Sequence, residues 1–195
     1  MLEPKNDPFE WFDGWLEEAK AKGMADPNAM ALSTVGTDGM PSSRMVLLKE
    51  RTPRGFVFYT NFESRKGGEL GHGMACLLFY WRELSRQIRI EGTLERVADE
   101  DSDLYFSTRP RLSQIGAWAS MQSRPLESRE HLLARVEELE AKFEGSEVPR
   151  PPHWGGTLLI PRRMEFWQAG DFRLHDRFEY LYQADGWSVP SRLFP

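Results

Sequence analysis

Cysteine is nearly absent. Cys76 is the single one in 195 residues, so no intrachain disulfide can form and no cysteine-clustered zinc site can be built. That usage fits a reducing cytoplasm, where the protein is expected. Long hydrophobic runs are missing too. The longest aromatic-aliphatic stretch, Ala75 to Trp81, falls far short of the roughly 20 apolar residues that span a bilayer. The N-terminus also lacks a basic segment followed by an apolar one, so neither secretion nor membrane insertion is expected. G-x-S-x-G, H-E-x-x-H, a P-loop and a catalytic carboxylate pair are all absent, which leaves hydrolytic and metal-dependent chemistry without support and predicts no metal ligands. No internal repeat, low-complexity tract or linker is visible.

What is present describes a packed domain. Seven Trp, twelve Phe and five Tyr are far too many for a disordered chain. The expectation is one domain over 1–195, with 1–6 loose. The formal net charge of −5 conceals an uneven distribution. Arg44, Lys49, Arg51, Arg54, Arg65, Lys66, Arg82, Arg86 and Arg89 face only Glu50, Glu63, Glu69 and Glu83 within the same stretch, a local +5 inside a remainder of −10. Duplex nucleic acid needs a broad basic face, so no nucleic-acid partner is expected. One basic stretch in an acidic protein suits a small anion better.

Helical spacing of Phe9, Phe12, Leu16 and Ala19, after Asp7 and Pro8, predicts a helix that stops at Gly23. The period then changes to two, giving strands at about 29–37, 41–50 and 55–61, separated by Asp38-Gly39 and Thr52-Pro53-Arg54-Gly55. A short helix follows Ser64. Strands are expected at 74–82 and 85–97, the second alternating Gln87, Arg89, Glu91 with Ile88, Ile90. A helical stretch from Asp99 breaks at Pro110 and resumes to about Met121. Residues 128–144 read as a strongly amphipathic helix through Leu132, Leu133, Val136, Leu139 and Phe143. Strands return at 156–167, 172–182 and 186–193. About eight antiparallel strands with helices between the two halves predict an α+β barrel, not a parallel nucleotide-binding fold.

Four constellations could hold anions. In Ser64-Arg65-Lys66-Gly67-Gly68, Ser64 caps a helix whose first turn carries two cations, against the macrodipole; a phosphate would reconcile this, and so would simple solvation of both side chains. Arg44-Met45-Val46-Leu47-Leu48-Lys49 has a cation at each end, and strict alternation puts the two on opposite faces unless the strand twists or bulges. Tyr105 and Arg109 are spaced i, i+4, with Ser113 shortly after: a second oxyanion site, or a stacked surface pair. At strand spacing Arg173, His175 and Arg177 share one face, where they need an anionic or π-rich partner.

These segments, in this order, resemble the pyridoxamine 5′-phosphate oxidase family. The matching stretches are RMVLLK (44–49), FYTN (58–61), SRK (64–66), RQ (86–87), YFSTRPRLSQIGAW (105–118), QS (122–123), WGG (154–156), EFWQ (165–168), RLHDR (173–177) and RLFP (192–195). The resemblance implies an FMN-binding split β-barrel with flanking helices, forming a homodimer whose FMN sites lie at the subunit interface. It implies FMN contacts at Arg44, Met45, Val46, Leu47, Leu48, Lys49, Tyr59, Thr60, Arg65, Lys66, Gln87, Gln122, Ser123, Trp167 and Arg177. The phosphorylated pyridine substrate would be held by Lys49, Tyr105, Arg109 and Ser113, with Arg173, Leu174 and His175 against its ring. Arg173 and His175 are the implied catalytic pair. The implied reaction oxidises pyridoxamine or pyridoxine 5′-phosphate to pyridoxal 5′-phosphate, with O2 as acceptor giving H2O2, and NH3 from the amine. Two alternatives stay open: a related flavin oxidase of another ring system, such as a phenazine, and a non-catalytic FMN- or pyridoxal-phosphate-binding module. Relative to the family, the segment before Asp7 is short, from which weaker substrate retention is expected. The turn at Gly71-His72-Gly73 also differs.

Overall fold

The computed structural model describes residues 2–195. The first helix, α1 (Pro8–Ala21), forms as its punctuation demands: Asp7 accepts a hydrogen bond from the Phe9 N–H at 2.8 Å, and Pro8 occupies the first turn, where its missing N–H costs nothing. Ten strands follow in chain order, namely β1 (Ala29–Val35), β2 (Pro41–Leu47), β3 (Glu50–Thr52), β4 (Gly55–Asn61), β5 (Met74–Trp81), β6 (Arg86–Arg96), β7 (Trp154–Gln168), β8 (Asp176–Gln183), β9 (Gly186–Trp187) and β10 (Ser191–Arg192). The helices between them are α2 (Arg65–Leu70), α3 (Asp99–Ser107), α4 (Arg111–Ala119) and α5 (Arg129–Lys142). The sheet runs β10-β8-β7-β6-β5-β1-β2, with β3 on β4, β4 on β7 and β9 on β8. The α+β class with an antiparallel sheet is the one read from the sequence.

Several boundaries differ from the pattern-based expectation. The single strand expected over 41–50 is two. Leu48 donates to the Asn28 carbonyl at 2.9 Å and accepts from Asn28 Nδ2 at 2.9 Å, while the Lys49 N–H bonds the Val57 carbonyl at 2.9 Å. The chain thereby changes partner from β1 to β4 within two residues, and the alternation argument for Arg44 and Lys49 does not carry across the break. The strand expected from 172 begins at Asp176. Residues 171–173 form a tight 3-10 turn in which Phe172 and Arg173 have φ of 55° and 65°, so Arg173 and His175 do not share a strand face with Arg177. The last expected strand, 186–193, is the two short pieces β9 and β10. In α5 the stripe is real but shallow: no residue of the helix is buried, Leu133 is exposed, and Leu132, Val136 and Leu139 are half-buried.

Contacts divide the chain into two compact units. The first comprises 2–58, 73–95 and 158–195, and the second 59–72 and 96–157. In the first, the Trp11, Phe12 and Trp15 face of α1 meets the inward residues of the sheet. Trp11 stacks on Phe166 at 4.2 Å between centroids, and Phe12 packs edge-on against Phe56 and Phe79 at 4.9 and 5.1 Å. Burying each such ring contributes roughly 1.5–3 kcal/mol, so this aromatic cluster dominates the unit's stability. Ile88 and Ile90 are fully buried while Gln87, Arg89 and Glu91 take the other face, as their alternation requires. The second unit has its own core of Phe106, Ile115, Phe143, Val148 and Trp154. No described helix is long and apolar enough to cross a membrane.

Candidate active site

In the second unit an aromatic stack forms from three separate elements. Tyr59 of β4 lies 4.0 Å from Tyr105 of α3 and 5.1 Å from Trp154 of β7, measured between ring centroids, with the three ring planes nearly parallel. The Arg109 guanidinium sits over this group, its central carbon 4.7 Å from the Trp154 ring centroid and 5.5 Å from that of Phe106. Arg109 lies two residues beyond α3, yet its N–H still bonds the Phe106 carbonyl at 3.1 Å, so the i, i+4 relation to Tyr105 survives a tightened last turn. Burial lowers the Arg109 pKa, with Tyr105 opposing; the group stays cationic. Its Nη1 is buried without a hydrogen-bond partner. Leaving a buried charged donor unsatisfied costs roughly 1–3 kcal/mol or more, which an anion at this position would recover. Ser113 stands half-buried in the first turn of α4, its N–H on the Pro110 carbonyl at 2.8 Å.

The same unit holds the Ser64-Arg65-Lys66 group. Ser64 caps α2 by accepting from the Gly67 N–H at 3.2 Å and donates to the Asn61 carbonyl at 2.6 Å. A Cβ at Gly67 would lie 2.2 Å from the Phe62 carbonyl oxygen, so only glycine lets the helix start fold back this tightly. Lys66 Nζ reaches Ser64 Oγ at 3.3 Å and bonds Gln122 Oε1, joining two expected cofactor contacts that stand 56 positions apart. Arg65 instead pairs with the buried Glu69 at 2.9 Å, which offsets the unfavourable placement of its charge in the first turn. Thr60 is buried, and its hydroxyl has no partner. Ser123, exposed beside Gln122 in the turn after α4, has φ of 70°.

The remaining expected residues lie in the first unit. Arg44 is on β2 and turns inward, donating to the Leu32 carbonyl at 3.1 Å and to the hydroxyls of Thr34 and Ser42. Val46 shares that side, Met45 and Leu47 are exposed on the other, Leu48 is buried in the break, and Lys49 is exposed beyond it. Gln87 is on β6 opposite Tyr80. Trp167 pairs with Arg177 across β7 and β8. The His175 ring is 4.7 Å from Trp167, and Arg173 and Leu174 are exposed in the preceding turn. Arg177 donates from Nε to Glu165 at 2.9 Å and from Nη1 to the Phe194 carbonyl at 2.8 Å. Glu165, buried between Arg177 and Arg89, holds the latter at 2.5 Å. The hydrogen bond to Glu165 raises the Arg177 pKa, against burial. Sequence reading missed Asn28, whose clamp on Leu48 has no local signal. It also gave no role to Glu165 and Trp154, although both lie inside motifs it had singled out.

A sequence profile described as "Pyridoxamine 5'-phosphate oxidase" matches residues 16–143, and one described as "Pyridoxine 5'-phosphate oxidase C-terminal dimerisation region" matches 154–195. The chain belongs to the pyridoxamine 5′-phosphate oxidase family. A pyridoxine/pyridoxamine 5′-phosphate oxidase of Myxococcus xanthus is 56% identical over 196 residues, covering 100% of this chain and 94% of the relative. The protein of that name from Caulobacter vibrioides is 54% identical over 192 residues, covering 98% and 86%. Among solved structures, PhzG from Burkholderia lata 383 in complex with tetrahydrophenazine-1-carboxylic acid superposes with a TM-score of 0.92 at 36% identity, covering 99% of this chain and 95% of that one. A pyridoxamine 5′-phosphate oxidase-related, FMN binding protein from Nostoc punctiforme shares the fold, with a TM-score of 0.76 at 14% identity, covering 97% and 98%. Family membership makes the protein an oxidoreductase, and the dimerisation region points to a homodimer.

Proposed function

We propose that this protein is an FMN-dependent oxidase that converts pyridoxamine and pyridoxine 5′-phosphates to pyridoxal 5′-phosphate in the cytoplasm, reducing O2 to H2O2. The observation that carries this reading is Arg109: a half-buried arginine whose buried Nη1 has no hydrogen-bond partner, seated on an aromatic wall beside Tyr105. A phosphate beside a flat heteroaromatic ring is the ligand chemistry such a group accepts. Relatives above 50% identity that carry the oxidase name support the same substrate class.

The residues present fit FMN. Thr60 offers an unpartnered buried hydroxyl, Lys66 is held in place by Ser64 and Gln122, and Arg44 is braced by three groups on two strands. In this reading Arg44 to Lys49, Tyr59, Thr60, Arg65, Lys66, Gln87, Gln122, Ser123, Trp167 and Arg177 hold the cofactor, in sites at a homodimer interface that draw on both chains. Bound FMN supplies the hydride acceptor and passes the electrons to O2. The chain's own share is positioning. Lys49, Tyr105, Arg109 and Ser113 anchor the substrate phosphate, and two fixed phosphates, one on each ring system, convert a diffusional encounter into an oriented one. Arg173 is permanently charged, so it orients the pyridine and stabilises developing negative charge without taking a proton. His175 and Leu174 lie against the same ring.

The structural similarity to PhzG favours one second reading, oxidation of a reduced phenazine. Tetrahydrophenazine-1-carboxylic acid also carries an anion, a carboxylate that a guanidinium can bind, so the preference for the phosphorylated pyridine rests on the relatives at 56% and 54% identity that carry the oxidase name, against 36% for PhzG. The experiment is to purify the protein, measure bound FMN, and follow aerobic formation of pyridoxal 5′-phosphate and peroxide from both phosphorylated substrates, with tetrahydrophenazine-1-carboxylic acid as the competing substrate. Turnover of the phosphorylated pyridines is expected. A protein that cannot be loaded with FMN, or that oxidises only the phenazine, refutes the proposal.

A further inference from the structure

The segment joining β7 to β8 is built around one histidine. Its entrance is tied to the sheet by the Ala169 N–H on the Ser85 carbonyl at 2.9 Å, and Leu174 N–H closes the turn on the Asp171 carbonyl at 3.0 Å. Phe172 and Arg173, consecutive residues without glycine's freedom, both take left-handed backbone angles, which costs roughly 1–2 kcal/mol each. Burial of their side chains does not offset this, since Phe172 is 94% exposed and Arg173 is exposed as well. At the crossing of the turn, a Cβ on Gly170 would stand 2.1 Å from the Leu174 carbonyl oxygen, so the two arms approach closer than any side chain permits. The product of this tight crossing is one contact. The Gly170 N–H donates to His175 Nδ1 at 3.2 Å.

A backbone amide can only donate, so Nδ1 must present a lone pair. The proton of the neutral imidazole then resides on Nε2. We infer that the Gly170 amide fixes His175 as the Nε2–H tautomer, so that the ring faces substrate as a hydrogen-bond donor and not as a base. Gly170 is thereby a positioning residue, acting through His175. Trp167, 4.7 Å from the imidazole, limits the ring's rotation from one side. The identity of what Nε2–H meets rests on the proposed function; the tautomer itself does not. A donor at that point can bond a substituent of the pyridine, and it leaves proton removal from the substrate's C4′ substituent to other groups or to water.

The test is a long-range 1H–15N correlation spectrum of the full-length protein labelled with 15N-histidine. With four histidines in the chain, the His175→Asn spectrum identifies the signal. A second, uniformly labelled sample is used to look for a through-hydrogen-bond coupling between the Gly170 amide nitrogen and His175 Nδ1. Expected are a protonated Nε2, an unprotonated Nδ1 and that coupling. An Nδ1–H tautomer, an imidazolium at neutral pH or an even tautomer mixture overturns the inference. Gly170→Ala should convert the single tautomer into a mixture and lower turnover by at least about tenfold while FMN is retained. Should that variant fail to fold, the wild-type spectrum decides alone. His175→Gln, whose amide nitrogen reproduces a donor at the Nε2 position, should keep activity within about tenfold, whereas His175→Asn should lose more. Equal loss in both speaks for a proton-accepting ring and against the inference. Because the spectrum is read without turnover, an Nε2–H result from a protein that oxidises no phosphorylated pyridine refutes the proposed function and leaves the tautomer standing.

Discussion

Glu165→Gln is the substitution with the most instructive expected cost. Glu165 is 4% exposed on β7 and accepts from Arg89 Nη2 at 2.5 Å and Arg177 Nε at 2.9 Å. Glutamine keeps the volume but presents one carbonyl and one NH2, so one of the two guanidiniums must face a donor. A lost charge-assisted hydrogen bond is worth about 1.5–3 kcal/mol. The arginine side chains are 36% and 28% exposed, so water recovers part of this, and a net loss of about 1–2 kcal/mol remains. For a chain of this length each kcal/mol moves Tm by about 2–4 °C, which predicts a drop of roughly 2–8 °C. The assay is thermal unfolding at fixed protein concentration and saturating FMN, because both dimerisation and ligand shift the transition. A cycle with Arg89→Met should show a coupling of at least about 0.5 kcal/mol. A Tm change below about 1 °C for Glu165→Gln would show that the pair is solvated and the reasoning wrong.

Other outcomes follow from the site and its surroundings. Arg109→Ala should raise KM for the phosphorylated substrates by about ten- to a hundredfold, the value of one or two charge-assisted bonds, and leave FMN content unchanged; an unaltered KM would remove Arg109 from the phosphate site. Arg173→Ala should lower turnover more than FMN affinity, as measured by steady-state rates and flavin titration, and equal turnover would refute its assigned role. Burial, with Glu91 nearby, pushes the Cys76 thiol up, so alkylation should be slow and its rate should still be climbing above about pH 8.5; a plateau reached before that would contradict the assignment. Burial alone would raise the Asp176 carboxyl, but the Leu2 N–H and the Arg192 guanidinium outweigh it and hold its pKa below the usual range. A depressed folded-state pKa stabilises above the unfolded value and ceases to do so as pH falls through the folded one. The stability advantage of the wild type over Asp176→Asn should therefore be fully present at pH 7, begin to decline near about pH 4 and be lost as pH falls further through the lower folded-state value, as followed by denaturant titration.

The sequence disclosed most where structure follows from local chemistry. Asp7 and Pro8 begin α1 where they should, and the Ile88/Ile90 alternation put the right face of β6 inward. Misreadings arose where a distant partner decides. Nothing near Leu48 announces that Asn28, twenty positions earlier, will interrupt the strand. The Arg173, His175, Arg177 alternation imitates a strand, while the left-handed angles at Phe172 and Arg173 occur at residue types that give no turn signal. For the site, family motifs named residues in both units, but Arg109's unsatisfied Nη1, the Glu165 clamp and the Gly170 contact are products of tertiary packing that no spacing encodes.

The order of strands in the sheet also bears on how the chain is made. β5, β1 and β2 precede or immediately adjoin β6 in sequence and can pair with one another early, but the other edge of β6 waits for β7, which begins only at Trp154, after residues 97–153 have been synthesised. During that interval β6 presents an open row of amides and carbonyls flanked by Ile88 and Ile90, the arrangement most prone to capture a neighbouring nascent chain. Fragments ending before Trp154 should accumulate as insoluble material, and conditions that slow elongation should lower the soluble yield of the intact protein more than its measured stability would suggest.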